Sequence, residues 1–119
     1  MTVSQTRKHR GYATQRLVAD WLRAHGWPFA ESTGAGRSGV DVTGTPGLSP
    51  EVKATAGDVT GALAQAHRNR DTGFPFVVWR PNGYGPERIE QWPVILRLDD
   101  FTALLHAAGY GTPDLEQSA

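Results

Sequence analysis

The sequence predicts one α/β domain, a mixed central sheet flanked by helices, and three observations predict it. Segments with apolar residues at i, i+3, i+4 and i+7 are interleaved with short apolar or alternating runs. Glycine and proline punctuate nearly every junction between them. The 119 residues, 39% of them apolar, suit a single core. Read along the chain, the order is helix, three strands, helix, strand, strand, helix. Residues 1–111 form the domain and residues 112–119 a disordered tail.

The first helix runs from about Tyr12 to His25, with Leu17, Val18, Trp21 and Leu22 as its apolar stripe, and Gly26 and Pro28 end it. Trp27 to Thr33 reads as a short strand leading into the glycine-rich loop of residues 34–39. Val40–Thr43 and Ser49–Thr55 read as the arms of a hairpin joined through Pro46-Gly47, a pair that favours a tight turn with positive φ at the glycine. Counting outward from a 45–47 loop sets Asp41 opposite Glu51 and Val40 opposite Val52, both valines toward the core and both carboxylates on the other side.

Asp58 is the expected N-cap of a helix to Arg70 with Val59, Ala62, Leu63 and Ala66 on its apolar face. Phe74–Trp79 gives a buried strand beginning just after Pro75, residues 81–86 a turn-rich loop, and Val94–Leu98 the last strand. Asp99 is the expected cap of a final helix with Phe101, Leu104, Leu105 and Ala108 on one face, ended by Gly109 and Gly111.

Composition excludes several classes. There is no cysteine, so disulfide scaffolds, thiolate zinc sites, iron–sulfur clusters and thiol nucleophiles are out, and the compartment is left open with a cytoplasmic location as the default; ten arginines against two lysines point to a GC-rich bacterial source or a phage of such a host. No window approaches the roughly 20 apolar residues of a membrane span, and the polar, basic start does not resemble a signal peptide. Twelve basic residues balance twelve acidic ones, yet Arg7, Lys8, Arg10, Arg16, Arg23 and Arg37 crowd the first third, an asymmetry that suits an anionic partner.

Chemistry concentrates on the predicted hairpin. Alternation sets Glu51 and Lys53 on one face with Val52 on the other, and the register adds Asp41. Cross-strand neighbours about 5 Å apart can share one hard divalent cation, with the Val52 carbonyl as a third protein ligand. Such a cation neutralises charge in phosphodiester hydrolysis and activates water, while Lys53 orients that water or stabilises the developing negative charge. Taken singly, these three residues describe a solvated strand face with a surface ion pair. The four histidines show no metal-ligand spacing. The glycine loop is no nucleotide cradle, since it precedes a strand and lacks a following Lys-Ser/Thr pair. Trp21 and Trp79 read as core, whereas Trp27 and Trp92, each beside a proline, read as core edge, dimer contact or stacking platform.

Gly39-Val40-Asp41, a gap of nine residues and then Glu51-Val52-Lys53 resembles the PD-(D/E)xK nuclease signature, and its surroundings resemble the archaeal and phage Holliday junction resolvases. The resemblance covers most of the chain, from Gly11 to Tyr110. It implies a restriction-endonuclease-like three-layer core and a metal-dependent DNA endonuclease, with magnesium or manganese held by the residues matching Asp41 and Glu51 and catalysis by the one matching Lys53. It also implies a role for Gln65, where many relatives carry a glutamine. Many resolvases carry a glutamate on the first helix, where this chain has Gln15, a neutral amide able to hold water but adding no charge.

A four-way or branched DNA substrate is the partner the resemblance implies, cut by a symmetric homodimer. Arg7, Lys8, Arg10, Arg37, Ser38 and Arg68 are the expected DNA contacts. The alternatives are a nicking, repair or restriction-type nuclease of the same fold, or a DNA-binding accessory protein whose site has decayed.

Overall fold

The computed structural model describes residues 3–34, 40–54 and 57–112, apart from the side chains of Val3, Ser4 and Arg7. The expected glycine loop beyond Gly34, Arg37 and Ser38 within it, the end of the third predicted strand at Thr55, and the tail from residue 113 lie outside the described residues. The elements follow the expected order: α1 (Val3–Ala24), β1 (Glu31–Ser32), β2 (Val42–Thr43), β3 (Leu48–Lys53), α2 (Val59–Asn69), β4 (Phe74–Trp79), β5 (Val94–Ile95) and α3 (Leu98–Ala107). A 3-10 segment over Pro86–Gln91 was not foreseen; Pro86 opens it and the Trp92 amide closes it on the Ile89 carbonyl.

The central sheet is mixed, in the order β3-β4-β5, with β3 and β4 parallel and β5 antiparallel to β4. Helix α2 is the crossover between the two parallel strands, as a parallel pair requires. The pleat divides the sheet into two faces. Val52 and Val78, which are register partners, turn toward the cluster built on Val18, Ala19 and Leu22 of α1. Glu51 and its partner Val77 take the opposite face, where α2 brings Asn69 to the Glu51 carboxyl. Helices therefore flank the sheet. The core under α1 is completed by Ala30, Val42 and Trp92. Trp92 is thus core, and its indole N–H donates to the Gly85 carbonyl. Trp21, in contrast, lies at the surface stacked on His25, so the expectation that it is core fails.

The hairpin between the second and third strands does not form. Its turn is present: the Leu48 amide donates to the Thr45 carbonyl at 2.9 Å, and Gly47 has φ +82°. However, β2 pairs with β1 in a separate antiparallel ribbon, Ser32 opposite Val42, while β3 pairs with β4. The reason lies at Asp41. Its carboxylate accepts from the Val52 N–H at 2.8 Å and so takes the place a ladder carbonyl would fill, while its own carbonyl accepts from Thr33 of the β1 side. The valine fully buried is accordingly Val42, with Val40 only half-buried. Gly44 fixes the corner: at φ +73° a Cβ there would lie within 2 Å of the Phe29 carbonyl oxygen, a clash no side chain survives.

Other boundaries shift for identifiable reasons. Helix α1 begins at Val3, not Tyr12, because its first turns carry no apolar stripe to announce them. The predicted strand from Trp27 shrinks to Glu31–Ser32, since Trp27 and Leu22 instead close a turn. Strand β4 includes Pro75, whose missing N–H leaves its parallel ladder intact. Asp58 caps α2 as expected, accepting from the Gly61 amide and the Thr60 hydroxyl, and Gly61 leaves the room that this cap needs. Asp99 does not cap α3. Arg97 occupies the N-cap position, and Asp99 sits in the first turn, pairing with Arg97 and accepting from the Asp100 amide. The apolar stripe of α3 faces outward, with Leu98 78% exposed and Phe101 and Leu104 also exposed.

Two cations tie α1 to the sheet. Arg80, at 9% exposure, donates to the Tyr84 carbonyl and the fully buried Thr14 hydroxyl, and its guanidinium lies 5.3 Å from the Trp92 ring centre. Arg10 donates to the Ala54 carbonyl at 2.6 Å and reaches the Pro81 carbonyl. Replacing Arg80 with methionine keeps the volume and leaves the Thr14 hydroxyl and Tyr84 carbonyl without a donor. The expected loss is about 2–3 kcal/mol of stability in urea unfolding, with an unchanged denaturant slope.

Candidate active site

Asp41, Glu51, Val52, Lys53, Gln15 and Gln65 line one polar cleft of about 350 Å³, together with Asp58, Gly61 and Ala62. Six positions chosen from the sequence are thereby brought together by four segments. Gln15 comes from α1, Asp41 from the residue before β2, Glu51 to Lys53 from β3 and Gln65 from the exposed face of α2. The cleft lies at the edge of β3 left open where β2 turns away. Hence the broken hairpin still delivers Asp41 to Glu51, by a side chain to backbone bond in place of a ladder.

The site lies deeper than the solvated strand face that its residues taken singly describe. Glu51 is only 6% exposed and lies under α2, where Asn69 hydrogen-bonds its carboxyl and the charge of exposed Arg68 is felt. Burial is the main reason its carboxyl is pushed up to about 8, followed by the negative charge of Asp41 and the hydrogen bond between the two acids. Asp41 is also raised, again mainly by burial, against the lowering effect of the bonds from the Val52 amide and Glu51. The physical picture is a pair of acids holding one proton between them near neutral pH.

Two oxygens in the cleft stand out. Glu51 Oε2 and Gln15 Oε1 are both buried oxygens without a hydrogen-bond donor among the described residues. Burying such acceptors unsatisfied is costly, and a hard cation satisfies both while replacing the proton that the acids share. The donor set, two carboxylates, the Val52 carbonyl and an amide oxygen, is all oxygen, which suits magnesium or manganese. Among the described residues no group of three or more His, Cys, Asp or Glu is placed to hold a metal ion together, and of the three acids that line the cleft Asp41 and Glu51 are the pair in contact. Asp58, on its rim, is committed elsewhere: its carboxylate is held low chiefly by the bonds from Thr60 and Gly61, with the charge of Lys53 adding to them.

The expected DNA contacts separate. Lys8 is exposed on α1 and Arg68 is exposed at the end of α2 beside Glu51. Arg10 is half-buried and spent on the Ala54 and Pro81 carbonyls, so in this structure it is a brace between α1 and the end of β3. The Arg7 side chain, Arg37 and Ser38 lie outside the described residues. Asn69 is the site residue that sequence reading passed over. The signal was present, because Asn69 lies four residues after Gln65 on the same helical face.

No protein-family model matches the chain, nor does any curated protein or solved structure match it significantly. Among the described residues no helix is long and apolar enough to cross a membrane.

Proposed function

We propose that this protein is a metal-dependent DNA endonuclease of the PD-(D/E)xK type, with a restriction-endonuclease-like three-layer core and a branched or four-way junction as its substrate. The observation that carries the reading is the convergence of Asp41, Glu51, Lys53, Gln15 and Gln65 on one cleft with two buried, donorless oxygens. Asp41, Glu51 and the Val52 carbonyl would hold a magnesium or manganese ion, which would supply charge neutralisation at the phosphate and a more acidic water.

The chain's own residues do the rest. Lys53 follows Glu51 by two on the same strand face, so its ammonium enters the same cleft and orients water or balances the charge that builds on the scissile phosphate. Gln65 and Gln15 are neutral amides that both donate and accept, and they position water without repelling a phosphate. Asn69 and Arg68 hold the Glu51 carboxylate once it has lost its proton. A symmetric dimer belongs to the same reading, because paired cuts in a two-fold junction need two equivalent sites.

The test is cleavage of labelled four-way junction, duplex and single-stranded DNA with magnesium, manganese or EDTA. Metal-dependent cutting that prefers the junction is expected. Lys53→Ala is expected to slow it about a hundredfold or more while leaving DNA binding within a few-fold. Preference for linear duplex would move the substrate toward a nicking or restriction type, and binding without any cutting would leave a DNA-binding accessory protein.

A further inference from the structure

On the α1 side of the sheet an apolar cleft of about 290 Å³ opens beside β5, lined by Val18, Phe76, Val78 and Trp92 and by the exposed Trp21 and Val94. Val94 is the register partner of Val78 and so shares its face. Glu90 is the cleft's only charged residue among the described ones, and the Trp92 N–H is spent on the Gly85 carbonyl. A small-molecule site carries several convergent polar groups, whereas this cleft offers a seat for apolar side chains.

The matching surface is α3, which begins two residues past β5. Leu98, Phe101 and Leu104 form an exposed apolar ridge on it, Leu98 at 78% exposure, and no residue of α3 is buried. Helices shorter than about 12–15 residues are marginal in water by themselves, so a ten-residue helix with that ridge bare calls for a partner. Three candidates for the cover fail. The chain outside the described residues and side chains brings only Met1, Val3 and Leu115 as large apolar residues, too few for the ridge. Asp99 and Asp100 in the first turn of α3 repel a nucleic acid. Nor can α3 reach the cleft of its own chain, because His67 of α2 and Asp100 of α3, 3.5 Å apart, tie it to the opposite side of the sheet.

We propose that two copies of this chain pair across the β5 edge, the α3 ridge of each seated in the apolar cleft of the other. A two-fold axis along β5 exchanges the two faces of the sheet, so it carries the second copy's α3 from the α2 side to the α1 side, where the cleft lies. Such a contact is reciprocal and closes at two copies. Val94 on the cleft rim stands four residues before Leu98 on the ridge, so each copy presents both surfaces at one edge. Charge agrees, with Glu90 in the cleft and exposed Arg97 at the start of the ridge. The pairing stands on these surfaces and does not rest on the nuclease reading, to which it would give two equivalent sites.

The test is sedimentation equilibrium of the full chain without DNA or metal, for wild type, Leu98→Asp on the ridge and Val94→Lys on the cleft rim, with thermal unfolding of each. A carboxylate at the first helical position suits the helix dipole and an ammonium suits an exposed edge strand, so both variants are expected to fold. Wild type is expected to be a dimer and each variant to weaken dimerisation tenfold or more. An equimolar mixture of the two variants is expected to restore a dimer. One of its two contacts is then wild type, and the other sets the introduced carboxylate against the introduced ammonium. Wild type that stays monomeric at about 0.1 mM overturns the proposal. So does a dimer that neither variant weakens, and so does one weakened by Leu98→Asp alone, which would be α3 paired with α3. A monomer that still cuts junction DNA overturns the pairing and leaves the nuclease reading standing, while a dimer that responds to both variants but never cuts does the reverse.

Discussion

Asp41→Asn is expected to abolish metal-dependent cleavage, by about a thousandfold or more, while the protein stays folded and still binds DNA. The asparagine is isosteric and its amide oxygen can still accept the Val52 N–H that holds β3 beside residue 41. What is removed is one of the two carboxylates that the proposed reading assigns to the cation, and the third acid of the cleft, Asp58, is engaged by Thr60 and Gly61, so little would remain to hold a cation. The same change removes the negative charge that helps push up the Glu51 carboxyl. Asp41→Asn is therefore expected to unfold at the same or a higher temperature than wild type at pH 8 without metal. A variant that loses activity because it unfolds would show the opposite. Unfolding curves and junction cleavage on one preparation check both halves, and retained cleavage would remove Asp41 from the chemistry.

The second large effect is on pH. Glu51 titrates at about 8 in the folded protein against 4.5 in an ordinary carboxyl, so the folded state binds its proton more tightly than the unfolded chain does. The stability this contributes is fully present below about pH 4.5 and is lost as pH rises through about 8. Asp41, raised in the same direction, reinforces the trend. Without metal, wild type is expected to lose Tm between pH 5 and pH 8.5 relative to Glu51→Gln, which has no such proton to lose. On the proposed reading a divalent cation has to displace that proton, so its affinity is expected to rise with pH over the same window and its binding to release about one proton near neutrality. Added magnesium is thus expected to stabilise wild type more at pH 8.5 than at pH 6, and cleavage to rise with pH toward a plateau above about 8. Equal stabilisation at both pH values would show that Glu51 is not a ligand.

Much of the chain was legible because periodicity is local. The stripe of Val59, Ala62, Leu63 and Ala66, the Asp58 cap and the Pro46-Gly47 turn depend on residues within a few positions, and each stands where spacing placed it. Partner choice between strands is not local. Nothing near Val40–Thr43 signals that β1 will take its backbone, or that the Asp41 side chain will bond β3 instead. The cleft was still legible, because Asp41 meets Glu51 by either route.

Burial was the harder quantity to read. Glu51 follows Ser49 and Pro50, both buried, and only the position of α2 turns a strand-face carboxylate into one under a helix. The stripe of α3 has the same spacing as that of α2, yet Leu98 and Phe101 face outward, since period tells which residues share a face and not what covers it. The roles of cations depend on the same distant context: the guanidinium groups of Arg10 and Arg80 brace α1 against the sheet through partners more than forty residues away, which no local pattern announces.

The central claim is that the Asp41–Glu51 cleft binds the cation that hydrolysis needs. The most direct measurement is titration of manganese into wild type and Asp41→Asn by calorimetry, beside the initial rate of junction cleavage at each manganese concentration. One binding event that Asp41→Asn abolishes is expected, with occupancy and rate rising on the same curve. Manganese binding unchanged in Asp41→Asn, or cleavage that proceeds in EDTA, would contradict it.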